Sequence, residues 1–203
     1  MARTADPDRT AQRREAILLA AGRLFGERGY ERTTVAHIAE AAGLSAASVF
    51  YYFADKPAVF RAVFERDLPL AEALIDRHAD AADPVAAILD VLSDQARDAA
   101  DPGAAGMVVE LLRRVEHDPD LLSVVTRTAR VVRDGLAGLI ARGIEDGAVD
   151  PDLDPAEAAS WLQAIVDATY LNARPGHSPV AALRRTALAY LAPNQPGGTH
   201  HHE

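Results

Sequence analysis

The sequence predicts an all-α protein, and three observations carry that prediction. Apolar residues recur at three- and four-residue intervals along most of the 203 residues, Asp-Pro and Ser-Pro pairs open one segment after another, and glycines mark the breaks. Short apolar runs such as Val108-Val109 and Val131-Val132 lie inside these helical periods and read as core, so no strand is expected. A hydrophobic content of 49% in 21.7 kDa is enough to build that core.

Taken in order, a first helix is expected over about 10–28, with Ile17, Ala21, Leu24 and Phe25 on one face and Gly29 as its stop. The segment Thr33 to Lys56, TTVAHIAEAAGLSAASVFYYFADK, follows. Counting from Val35, apolar or small residues fall at Ile38, Ala39, Ala42, Leu44, Val49 and Tyr52, the spacing of two short helices joined by a turn. Ala39 lies where the helices cross. Gly43 lies where the chain must leave a helix through a left-handed conformation. Thr33 or Thr34 can cap the first short helix and Ser45 the second. Asp55 and Pro57 open another helix, which carries Val59, Phe60, Val63 and Phe64 on one face until Pro69 kinks or ends it. Further helices are expected at about 84–99, 102–116, 119–143, 155–173 and 179–192. Residues 193–203, ending NQPGGTHHHE, read as a disordered polar tail to whose histidines no function is assigned.

An ordinary helical hairpin obeys the same capping rules, so the chemistry beyond Ser45 decides between the two readings. Ser45, Ala46, Ala47 and Ser48 make a helix start small enough to enter a major groove, while Tyr51, Tyr52 and Lys56 can reach phosphates beside it. Lys56 is the one lysine beside 20 arginines.

The run YERTTVAHIAEAAGLSAASVFYYFADKPAVF, preceded by AILLAAGRLFGERG, resembles the N-terminal domain of TetR/AcrR-type transcriptional regulators over roughly residues 10–68. The resemblance implies phosphate contacts at Thr34, Ser45, Tyr51, Tyr52 and Lys56, with Ala46, Ala47 and Ser48 against base edges. Two departures stand out: Ala46 replaces a residue often long and polar, and Phe50 replaces a usual tyrosine. Ala46 and Ala47 cannot make bidentate hydrogen bonds to bases, so only thymine methyls remain to them. Specificity is therefore expected to lean on Ser48, DNA shape and bridging water. The resemblance also implies that residues 69–192 form a helical domain that binds a small-molecule effector and dimerises.

The net charge of −9 fits DNA binding once its distribution is examined. Residues 1–68 hold 10 Arg and Lys against 9 Asp and Glu, and residues 69–203 hold 11 against 21. The acidity lies outside the reading head. Arg3, Arg9, Arg13 and Arg14 could form a basic arm. The absence of cysteine removes disulfides, thiolate metal sites and cysteine nucleophiles. No apolar run approaches the ~18 residues of a membrane span, and the start lacks a signal segment, so a cytoplasmic protein is expected. His37, His78, His117 and His177 are scattered without metal-ligand spacing. No nucleophile and base, paired carboxylates or phosphate-cradling glycine loop is found; neither an enzyme, a catalytic residue nor a cofactor is expected.

Within the body, Ala158, Trp161, Leu162, Ile165 and Thr169 form one stripe and Leu183, Ala187, Tyr190 and Leu191 another. Paired across a twofold axis they would make a four-helix dimer contact that holds two heads one DNA turn apart. Met107, Glu110, Arg114, Thr126, Arg130, Trp161 and Tyr170 are nominated for an effector pocket. The expected function is a ligand-responsive repressor released from a double-stranded operator; the alternative is a helical adaptor that keeps the fold and binds only protein. In the first case an effector shifts the helix that starts at Pro57 and moves the heads out of register, with a coupling of about 1–3 kcal/mol.

Overall fold

The computed structural model describes residues 7–172, 174 and 176–193. Its helices are α1 (Pro7–Arg28), α2 (Val35–Ala41), α3 (Ala46–Tyr52), α4 (Lys56–Glu65), α5 (Asp67–His78), α6 (Pro84–Gln95), α7 (Ala104–Val115), α8 (Pro119–Glu145), α9 (Pro155–Asn172) and α10 (Val180–Leu191), with a 3-10 turn at Arg97–Ala100. Among the described residues there is no strand, only an isolated bridge between Arg174 and His177. The tail from Asn194 and Arg3 of the expected arm lie outside the described residues. Arg9, Arg13 and Arg14 lie on α1 instead of on an arm; Arg14 sits 5.3 Å over the Phe53 ring and 3.8 Å from Glu65.

The Asp-Pro starts work as capping chemistry predicts. Asp83, Asp118 and Asp154 accept from the backbone N–H groups of Ala86, Leu121 and Glu157 at 2.9, 3.0 and 2.8 Å. Each is followed by proline at a position whose N–H would have no intrahelical partner. Pro69 obeys the same rule, and this corrects the expectation that it kinks or ends the helix opened at Asp55 and Pro57. The chain breaks earlier, at Arg66, and Pro69 is the third residue of α5. A proline in a first turn starts a helix as well as it stops one, so α5 was not anticipated.

Two clusters of buried side chains organise the chain. In the body, α8 is central and packs on α5, α6 and α9, burying Val132, Leu136, Leu139 and Ile140 against Ile88, Leu92, Leu162 and Leu183. Arg142 ties down the segment after α5 by donating to the carbonyls of Ala79 and Ala81. In the head, Ile17, Leu18, Phe25, Ile38, Val49, Val59 and Phe60 surround a ring cluster in which Phe25, Tyr30 and Phe60 have centroids 5.1–5.3 Å apart. Leu121 of α8 belongs to this head cluster, with Met107, Leu111 and Val115 of α7 packed against it.

Head and body therefore share packing, and α1 meets α7 at backbone distance. A Cβ on Gly106 would lie 2.1 Å from the Gly26 carbonyl oxygen, and one on Gly26 would lie 2.4 Å from that of Gly103.

The body stripes divide differently from expectation. Ala158, Leu162, Leu183, Ala187 and Leu191 are buried in the chain's own core, with Ile165 and Tyr190 packed on it. Trp161 points outward at 56% exposure, and Leu188 on α10 is also exposed.

Candidate nucleic-acid interface

The turn between α2 and α3 is set by local chemistry. Thr34 caps α2 by accepting from the His37 N–H at 3.2 Å, and the His37 ring nitrogen accepts in return from the Thr34 N–H at 3.4 Å. This is a reciprocal box with histidine at the position usually held by Glu or Gln. Thr33 is fully buried, and its hydroxyl reaches the carbonyls of Leu24 and Gly29. The two threonines thus separate into a scaffold residue, Thr33, and an exposed cap, Thr34. Gly43 has φ +67 and Ala39 is buried at the crossing, as the spacing predicted.

Ser45 caps α3 through the Ser48 N–H at 3.1 Å, and the two hydroxyls lie 2.9 Å apart. Val49 and Phe53 anchor α3 in the head core. The opposite face presents Ala47, Phe50 and Tyr51 to solvent, with Ala46 and Ser48 partly exposed at the helix start. Phe50 is 53% and Tyr51 75% exposed; the Tyr51 and Tyr52 rings meet edge to face at 5.0 Å. Thr34, Ser45, Ala46, Ala47, Ser48, Tyr51 and Tyr52 thus fall within one capped pair of helices.

Lys56 is more engaged than its motif suggests. Its ammonium donates to the Tyr30 carbonyl at 3.0 Å and lies 4.0 Å from the Tyr30 ring centroid. Only one of its three N–H groups is used by that carbonyl, so the contact fixes the ammonium against Tyr30 and leaves donors for an anion.

The nominated effector residues do not come together. Arg114 sits over the same Tyr30 ring at 3.4 Å and pairs with Glu31 at 3.3 Å, so it joins the end of α7 to the head. Glu110 is buried beside Gly29 and bonded to Arg113, and Met107 packs on the head cluster. Thr126 and Arg130 are exposed on α8. Trp161 walls an open cleft of about 440 Å³ with Ala156, Glu157 and Ser160. Tyr170 stands nine residues further along α9, about two and a half turns, and so faces the opposite way. Its hydroxyl donates to the Gln95 carbonyl.

The surroundings of Tyr170 are acidic, which the nomination missed. Burial, together with Asp98, Asp67, Asp167 and Asp101, pushes its phenol up to about 12. Asp67 is exposed, yet desolvation by the surrounding protein pushes its carboxyl up to about 6 against the lowering pull of Arg66. The signal available in the sequence was the excess of acids in the body, which reads equally as a solvated surface.

A second polar contact joins head and body. Arg61 of α4 donates to Asp118, the cap of α8, at 3.0 Å. Desolvation pulls the Asp118 carboxyl upward, but the Leu121 N–H and the Arg61 guanidinium outweigh it and hold the group below its ordinary range.

These features have counterparts in known proteins. Residues 17–63 match the bacterial regulatory proteins of the tetR family, and residues 81–194 match the C-terminal domain of BetI-type transcriptional repressors. The chain is 24% identical over 160 residues to the HTH-type transcriptional repressor AcnR of Corynebacterium efficiens, covering 79% of this chain and 81% of that one. It is 27% identical over 194 residues to the repressor KstR2 of Mycolicibacterium smegmatis, covering 92% and 90%. In fold it is similar to the fatty acid degradation regulator FadR from Bacillus halodurans, with a TM-score of 0.73 and 21% identity over 98% of this chain and 100% of that one. The body match alone spans more than half of the sequence, and it follows a capped helix-turn-helix with an exposed second helix: the chain belongs to the tetR family of bacterial regulatory proteins, with a C-terminal domain of the BetI-type repressor class.

Proposed function

We propose that this protein is a cytoplasmic, homodimeric repressor that holds a double-stranded operator through α3 and releases it when a small molecule enters the body. The observation that carries the reading is the face of α3. A helix of seven residues, capped and anchored by Val49, turns a 75%-exposed tyrosine and a row of small residues outward, an arrangement with no use inside the chain. Thr34, Ser45, Tyr51, Tyr52 and Lys56 contact phosphates, Ser48 approaches a base edge, and Ala46 and Ala47 meet thymine methyls.

Dimerisation uses the outward faces of the last two helices, not the stripes buried in the core. Trp161, Ala164, Ala168 and Leu171 on α9, with Ala181, Arg185 and Leu188 on α10, are exposed at helical spacing. The effector acts near Tyr170, where Asp67, Asp98, Asp101 and Asp167 surround a half-buried phenol and a ligand would meet negative potential. Its effect reaches the head through α4 and through the Arg114 and Arg61 contacts.

Fluorescence anisotropy on the DNA upstream of the protein's own gene tests the first step, with Tyr51→Ala and scrambled DNA alongside at one salt concentration. Tight binding lost in both controls is the expected result. Unchanged binding by Tyr51→Ala would remove Tyr51 from the interface, and no preference of the wild type for the upstream DNA over scrambled DNA would return the protein-only adaptor reading.

A further inference from the structure

On a DNA-reading helix, what matters is which chemical groups can address base edges, and α3 is short of them. Its sequence, AASVFYY, contains no Arg, Lys, Asn or Gln. The hydroxyls of Ser45 and Ser48 are engaged with each other at 2.9 Å, and Ser45 also holds the Ser48 N–H. On the exposed face beyond them stands Phe50, with Ala47 one turn before it on α3, both exposed.

Phe50 is anomalous among the phenylalanines. Phe25, Phe60 and Phe64 take part in ring-ring contacts and Phe53 is covered by Arg14, whereas Phe50 has no such partner among the described residues and is 53% exposed. Neither the head core nor the head-body junction uses it. The major groove displays donors, acceptors and one apolar feature, the thymine C5-methyl group. A benzene ring without a hydroxyl can neither donate to a phosphate nor bond a base edge, so the methyl is what remains for it.

We infer that Phe50 is a specificity-determining residue that reads thymine methyl groups, with Ala47 completing an apolar strip along the groove. The inference rests on the DNA-binding reading above and adds to the two alanines a large side chain as the main methyl reader: the operator position under Phe50 is a thymine recognised by methyl contact. Removing one methyl from such a contact is expected to raise Kd about fourfold, the equivalent of about 0.8 kcal/mol for one buried carbon group.

The test uses the full-length protein to enrich binding sites from random-sequence duplex DNA, followed by replacement of each thymine in the enriched site with deoxyuridine. Deoxyuridine keeps the base pair and both carbonyls and lacks only the methyl. One or two positions per half-site should each weaken the wild-type protein about fourfold. Phe50→Ala, which circular dichroism should show folded because the ring is exposed, should lose the methyl effect at the thymine under Phe50 and keep any at thymines under Ala46 and Ala47. Wild-type indifference to deoxyuridine at every position would overturn the inference, and so would a Phe50→Ala protein that keeps the full methyl effect at every position where the wild type shows one. A wild-type protein that enriches no sequence at all would overturn the DNA-binding reading itself, and this inference with it.

Discussion

Replacing Lys56 by glutamine separates two roles that one ammonium group performs. Inside the head it bonds the Tyr30 carbonyl and sits over the Tyr30 ring, a charge-assisted hydrogen bond and a cation–π contact in a partly buried setting. Together these are worth about 1–2 kcal/mol, which in a chain of this size lowers Tm by about 3–6 °C. On DNA each neutralised phosphate contributes about 0.9 to the slope of log K against log salt, so losing Lys56 from both heads of a dimer should reduce that slope by roughly 2. Anisotropy titrations between about 50 and 200 mM salt measure the slope, and a thermal scan measures Tm. Arg114→Gln is the control, because Arg114 sits over the same ring from the end of α7. It should lower Tm by a similar amount and leave the slope unchanged. A Lys56→Gln protein with the wild-type slope would refute the phosphate role and leave only the clamp; an Arg114→Gln protein with a reduced slope would refute the assignment of Arg114 to the junction.

Three other outcomes follow from the same geometry. Gly106→Ala puts a methyl 2.1 Å from the Gly26 carbonyl, where backbone must move, and should cost about 3 kcal/mol in urea unfolding; Gly43→Ala, with φ +67 but nothing within 4 Å, should cost only about 1. A Gly106→Ala protein as stable as Gly43→Ala would mean that α1 and α7 are not in backbone contact. For Asp67 the folded carboxyl titrates near 6 and the unfolded one near 3.8, so the folded state holds the extra proton. Its contribution to stability is complete below pH 3.8 and is lost as pH rises through 6. Asp67→Asn should therefore gain on wild type between pH 4 and 7, and parallel stability profiles would contradict this. Trp161→Arg should leave the fold intact and shift sedimentation from dimer to monomer; an unchanged dimer would move the interface away from the exposed face of α9.

What could be read in advance was what depends on neighbours within about four residues. Caps at Thr34, Ser45, Asp55, Asp83 and Asp118, the left-handed turn at Gly43 and the core positions Ile17, Leu24, Ile38 and Val49 are all consequences of helical periodicity and of backbone groups that need partners close by. The candidate DNA interface is legible for the same reason: it lies within one stretch of about 25 residues. Outside that stretch even a local signal could mislead: Pro69 was ambiguous, since its missing N–H suits a first turn as well as an ending. The opposed directions of Trp161 and Tyr170 were available from helical arithmetic, yet both are large aromatics on one helix, and pattern alone assigns no inside or outside to such a pair. Which residues meet across the chain is a different kind of information. Arg114 reaches Glu31 over a separation of 83 residues, Glu110 is buried against a glycine of the head, and Asp67, Asp98, Asp101 and Asp167 all act on Tyr170 from separate parts of the sequence. No local rule ranks these pairings, because a charged side chain on a helix face has the same propensity whether it ends in water or against another element; only the packing of the helices decides which it is.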